Sequence, residues 1–223
     1  MLAGMAAKRQ KFQKERPPDP YAIGAAWRLF VALPMPPGVQ DLIGRIVAAL
    51  APFDLPVRWA AADAAHLTLH FLGETPAERA ELLRLALPPV VQRTEPFRLE
   101  TGRLGLFPDA REPRVIWLGL EGGTGRLAGL HRDLGRHLNS LEFAVEERSF
   151  RPHITLGRVR DNPPRNLGAA VERALGSAAV RDLLAAPPEP IDVQSVVLMR
   201  SLLERGGARH VPLGGYPLGR QRP

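Results

Sequence analysis

His66-Leu67-Thr68-Leu69 and His153-Ile154-Thr155-Leu156 decide how this chain is read. They are one phrase, His-x-Thr-Leu, written twice in 223 residues. Each copy lies in a short apolar run with strand character. Side chains in a strand alternate between faces, so a His and a Thr two apart project to the same side. Each half of the chain therefore offers an imidazole beside a hydroxyl. Halves that face each other would enclose two proton-transfer groups and two hydroxyl donors, which is equipment for in-line chemistry at a phosphate.

The surroundings of the two copies match. Residues 28–33 form a strand closed by Pro34, and Val39, Leu42, Ile43, Ile46, Val47 and Leu50 recur at helical spacing. Residues 66–71 form the first motif strand, ended by Gly73; Pro76 then opens a helix to about Leu87, which Pro88-Pro89 interrupts. Residues 97–107 make one or two strands, and 114–120 a continuous apolar, central strand. Gly122-Gly123-Thr124-Gly125 is a turn into a third helix with Leu127, Leu130, Leu134, Leu138 and Leu141 on one face. The second motif strand covers 153–157, and Leu167, Val171 and Leu175 mark a helix after Pro163-Pro164. Residues 191–202 are one strong strand, with 209–213 as its hairpin partner. Helix, loop, motif strand and Pro-opened helix occur in this order twice, as in an internal duplication. The expected fold is α+β, with two pseudo-symmetric lobes of mainly antiparallel sheet plus helices around a central cleft.

Composition bounds the rest. An apolar content of 45% suits a globular core. Residues 26–219 are expected to form a single bilobal domain, residues 1–25 a disordered basic arm, and 220–223 a tail. The net charge of +7 attracts polyanions, RNA among them. There is no cysteine, which excludes disulfides and thiolate metal sites. The best apolar stretch, residues 22–33, is cut by Arg28 and too short to span a bilayer. No secretory leader, membrane association or obligate protein partner is expected, and a cytoplasmic location is.

A single His-x-Thr is explained by a strand histidine bonded to backbone; two copies in matching places point to a site. Imidazole suits both general-acid and general-base roles because its ordinary pKa, about 6.5, lies near working pH. Threonine hydroxyls can donate to non-bridging phosphate oxygens. Leu67, Leu69, Ile154 and Leu156 point the other way, into the core. A catalytic zinc would need a third ligand, and no carboxylate stands at suitable spacing, so neither metal nor cofactor is expected. The residues give the histidine pair without saying which is acid and which base. By strict alternation His70 shares the face of His66 and is placed at the pocket rim with Phe71 and Phe150, which could stack a base or join the core. His131, His137 and His210 are placed on the surface. Arg158 falls on the face opposite His153 and needs a bulge or a strand end to reach the site.

The chain resembles the two-histidine (2H) phosphoesterases, specifically the RNA 2',3'-cyclic phosphodiesterases, also called 2'-5' RNA ligase-like proteins. Carrying the likeness are residues 28–33, the extended motifs 66–74 and 150–158, Gly105-Leu106-Phe107-Pro108, residues 114–118 and 198–203. His70 departs from the lysine or arginine frequent there. The resemblance implies hydrolysis of a terminal 2',3'-cyclic phosphate to a 2'-phosphomonoester without metal. It implies His66 as proton donor, His153 as proton acceptor, and Thr68, Thr155 and Arg158 as phosphate ligands. RNA ends bearing the cyclic phosphate, such as tRNA halves or nucleotides, are the implied partners. The alternatives are a 2'-5' ligase of RNA halves and a non-catalytic RNA-end binding module.

Overall fold

Leu29, Phe30, Val31, Ala32 and Leu33 are all buried, the mark of a strand covered on both faces. They form the middle of β1 (Ala26–Pro34), which lies between two other strands in a computed structural model that describes residues 26–145, 149–204 and 207–219. The expected arm, 1–25, and tail, 220–223, lie outside the described residues. The chain continues through α1 (Pro37–Leu50), β2 (Val57–Trp59), β3 (His66–Pro76), α2 (Ala77–Val91), β4 (Phe97–Phe107), β5 (Val115–Gly122) and α3 (Thr124–Ser140). It ends with β6 (His153–Val159), α4 (Leu167–Leu175), α5 (Ala178–Ala185), β7 (Pro190–Val193), β8 (Ser195–Glu204) and β9 (Gly207–Pro217).

Among the described residues the nine-stranded sheet runs β7-β4-β5-β6-β3-β1-β8-β9, with β2 on β6. Every pairing is antiparallel. The order is symmetric about its middle: each motif strand, β3 or β6, is followed outward by three strands of its own lobe. β3 and β6 meet at one residue pair, Leu67 with Ile154. The unit β1-α1-β3 corresponds to β5-α3-β6. Helix α3 leaves the second lobe and packs on β3 of the first, while α1 leaves the first and reaches β7 of the second. This exchange of helices fastens the lobes together. The fold is α+β, with two pseudo-symmetric lobes.

Three expectations change. Pro88 and Pro89 do not interrupt α2; both lie inside it. Their missing N–H groups leave the carbonyls of Arg84 and Leu85 free, and both residues are exposed, so water can serve them. Buried Leu87, Val90 and Val91 hold the last turn. The strand expected over 191–202 is broken at Gln194: β7 pairs with β4 in one lobe and β8 with β1 in the other. Apolar patterning cannot report a change of partner. Gly73 does not end β3; it takes a positive φ of 65° and the strand continues to Pro76. β2 and α5 had no signal of their own, being three and eight residues long.

Candidate active site

The pair Leu67–Ile154 sets the register of the two motifs. In an antiparallel pair this places His66 across from Thr155 and His153 across from Thr68, all four on one face. The two histidines are then diagonal neighbours, a relation that spans about 7–8 Å between backbones. Leu67, Ile154 and Leu156 are fully buried on the other face and Leu69 nearly so, which anchors both strands.

The two imidazoles are held in the same way. Nδ1 of His66 bonds the carbonyl of Ala64 at 2.9 Å, and Nδ1 of His153 bonds the carbonyl of Arg151 at 2.7 Å. A carbonyl only accepts, so each Nδ1 carries the proton. Each Nε2 is then an acceptor when the ring is neutral and a donor when it is charged. Both histidines titrate below the ordinary range. For His66 burial is the main cause, opposed by the bond to Ala64 and reinforced by the charges of Arg158 and His153. For His153 burial again leads, opposed by the bond to Arg151, with the Arg158 and Arg151 charges adding to it.

Each motif strand carries a bulge three residues past its histidine. Against β1, His70 pairs with Val31 and Thr68 with Ala32, which leaves Leu69 extra. Against β5, Gly157 pairs with Ile116 and Thr155 with Trp117, which leaves Leu156 extra. The extra residue reverses the alternation beyond it. Arg158 thereby reaches the face of His153, close enough to depress both histidines. Phe71, the equivalent residue of the first lobe, also comes to the cleft face, 54% exposed and with its ring 6.1 Å from that of Phe30.

The same reversal corrects the placement of His70. It turns away from the cleft, is only 4% exposed, and donates from Nε2 to the carbonyl of His131 at 2.8 Å. Its ring stacks on that of His131 at 4.1 Å, and His131 stacks on Phe150 at 3.9 Å. Phe150 is thus on the helix side, not at the pocket rim, and His131 is half-buried between the two rings rather than free on the surface. Burial, with the neighbouring His70, pushes His131 down to about 4. His137 bonds the carbonyl of Ala86 and ties α3 to α2. His210 is not a surface residue either: its ring meets that of His66 edge-on at 5.0 Å.

Alternation alone could not find the frame around the histidines. His66 is flanked by Phe30 and His210, both at 5.0 Å. His153 is flanked by Phe107 at 4.9 Å and Trp117 at 6.4 Å. The Trp117 ring lies across Gly105, where a Cβ would collide with it. Arg58 of β2 stands directly opposite Arg158. Neither makes an ion pair among the described residues, and facing cations are unfavourable without an anion. Arg151 lies over the Phe107 ring at 4.8 Å. Two imidazoles, two hydroxyls and the Arg158 cation on one face could together hold a small anion. Among the described residues no three His, Asp or Glu side chains converge as a metal ligand set would.

The family described as the 2'-5' RNA ligase superfamily matches residues 44–205. The chain belongs to that superfamily. Among its relatives is an RNA 2',3'-cyclic phosphodiesterase of Aeropyrum pernix, 33% identical over 74% of this chain and 88% of that one. The fold is similar to TT0787 of Thermus thermophilus, with a TM-score of 0.67 and 27% identity over 87% of this chain and 100% of that one. It is also similar to Escherichia coli LigT in apo form, with a TM-score of 0.64 and 28% identity over 88% and 99% of the two chains. Members of this superfamily are phosphoesterases. Among the described residues no helix is long and apolar enough to cross a membrane.

Proposed function

We propose that the protein is a hydrolase of RNA ends, an RNA 2',3'-cyclic phosphodiesterase that opens the terminal cyclic phosphate to a 2'-phosphomonoester. The observation that carries this reading is the single register pair, Leu67 with Ile154, which sets both imidazoles and both hydroxyls on one face. In the proposed reaction Nε2 of neutral His153 takes a proton from water as its oxygen attacks phosphorus. The P–O3' bond breaks, and Nε2–H of charged His66 gives its proton to O3'. The products are a free 3'-hydroxyl and a 2'-phosphate. Thr68, Thr155 and Arg158 hold the non-bridging oxygens, where charge builds up. A bound phosphate counters the Arg158 charge that depresses His66, which favours the protonated acid. No metal is assigned a role.

With the 5'-hydroxyl of a second RNA in place of water as the nucleophile, the same breaking of the P–O3' bond joins RNA through a 2'-5' linkage and frees the 3'-hydroxyl, the reaction for which the superfamily is described. Water vastly outnumbers RNA ends, so hydrolysis is the primary assignment. The test is digestion, with chelator present, of a short RNA that ends in a 2',3'-cyclic phosphate. A 2'-phosphate end supports the reading. A 3'-phosphate end, or full activity in His66→Ala or His153→Ala, overturns it.

A further inference from the structure

The two histidines are equivalent in their bonding, but the space beside them is not. A cavity of ≈ 490 Å³ opens at His66 and runs to Gln40 and His210. Small-molecule sites typically measure about 300–1,000 Å³. Its floor is apolar, from Ala32 and Pro34 of β1 and Val197 and Met199 of β8. Neither His153 nor Arg158 lines it. On the His153 side the Phe107 and Trp117 rings take up the corresponding position.

Opening of a cyclic phosphate has a direction. O2' and O3' both belong to the terminal ribose, and water must attack from the side opposite the departing O3'. The nucleoside therefore lies with the group that protonates O3', and only water is needed near the base. If His66 is the acid, as proposed above, the open side and the nucleoside side coincide.

We infer that the cavity beside His66 binds the terminal nucleoside of the RNA end, with the base on the apolar floor and its edge facing Gln40 and Asp63. Gln40 donates from Nε2 to the carbonyl of Met35 at 2.9 Å, which leaves its Oε1 as an acceptor. Asp63 is exposed, lines the cavity and, ionised, only accepts. Arg209, the cation that also lines it, is engaged by Glu204 at 2.7 Å. Two acceptors favour a base whose edge carries an exocyclic amino group. Adenine, cytosine and guanine qualify; uracil shows one N–H between two carbonyl oxygens.

The probes are the 2',3'-cyclic monophosphates of the four nucleosides and ribose 2',3'-cyclic phosphate without a base. Each is assayed with the wild type, Ala61→Trp and Asp63→Asn. Ala61 is exposed, lines the cavity and has extended backbone (φ −67°, ψ 131°), so tryptophan there blocks the cavity without strain. With the wild type, kcat/KM for the amino-bearing nucleotides should exceed that of the base-less probe by about tenfold, the scale of burying one face of a base against apolar side chains. Ala61→Trp should remove most of that advantage, and Asp63→Asn should narrow the gap between the amino-bearing nucleotides and uridine. A wild type that hydrolyses all five probes equally overturns the inference while the phosphodiesterase assignment stands. So does an Ala61→Trp enzyme that keeps the full advantage. Failure to hydrolyse any probe, or a cyclic-phosphate-ended oligonucleotide, overturns both.

Discussion

Phe71 and Arg158 occupy the same position in the two halves of the molecule, each five residues past its motif histidine and each brought to the cleft face by a one-residue bulge, at Leu69 and Leu156. The duplication supplies the backbone, and the two copies have diverged at this position, which each bulge turns to the cleft face. One half presents a ring and the other a cation. Loss of the cation should therefore cost catalysis. Arg158→Ala should lower kcat by about 10²-fold, the scale of removing one donor to developing charge. Arg158→Lys should recover part of the loss, because it restores the charge without the two-pronged geometry. Phe71→Ala should leave kcat within a few-fold and act mainly on KM. Steady-state kinetics on a cyclic-phosphate end decide this, and an Arg158→Ala enzyme with normal kcat would remove Arg158 from the mechanism.

The pH profile follows from the causes of the depressed histidines. The base must be neutral in the free enzyme, and His153 is held below the ordinary range by burial and then by Arg158 and Arg151. The acidic limb of kcat/KM should therefore lie below about pH 6.5, the ordinary imidazole value. Removing the Arg158 charge makes protonation easier, so Arg158→Ala should move that limb to higher pH. The two limbs report the coupled pair rather than individual residues. A limb that stays fixed in the variant would show that the guanidinium does not act on the base.

The chemistry of the site is legible in the sequence because it rests on a repeat. His66, Thr68, His153 and Thr155 need only the alternation of a strand and a shared face, and the Leu67–Ile154 pair provides that face. Beyond the fourth motif residue alternation fails. The bulges at Leu69 and Leu156 send His70 inward, and apolar patterning cannot reveal them because the extra residue is itself a leucine. His210, Trp117 and Arg58 come from distant strands and enter the site only through sheet order. The break at Gln194 is hidden for the same reason: both flanking segments are apolar, and only their partners differ.

The stacked His70, His131 and Phe150 rings should make the protein sensitive to acid. His131 titrates at about 4 in the fold, against 6.5 ordinarily. A histidine depressed by folding binds fewer protons in the native than in the unfolded state, so its contribution is intact above pH 6.5 and is lost as pH falls toward 4. His70 is lowered as well and contributes in the same direction. Tm measured at steps between pH 7 and pH 4 should fall. His131→Phe, which keeps a stacking ring but cannot be protonated, should flatten part of that fall. An unchanged slope in the variant would show that the acid sensitivity lies elsewhere.

Gly157 couples the motif strand to the second arginine. A Cβ there would stand 2.5 Å from Cγ1 of Val57 and 2.7 Å from the Trp59 ring, so β2 can pair with β6 only if this position is bare. β2 in turn holds Arg58 opposite Arg158. Gly157→Ala should push β2 off the sheet edge and lower stability by about 1–3 kcal/mol, the usual cost of overpacking. Arg58→Ala tests the cation without the displacement: it should leave Tm near that of the wild type. Its KM for an RNA oligonucleotide should rise severalfold, and the dependence of KM on salt should weaken because one phosphate contact is gone. If β2 serves only as edge protection, Gly157→Ala will lose stability while Arg58→Ala leaves both KM and its salt dependence unchanged.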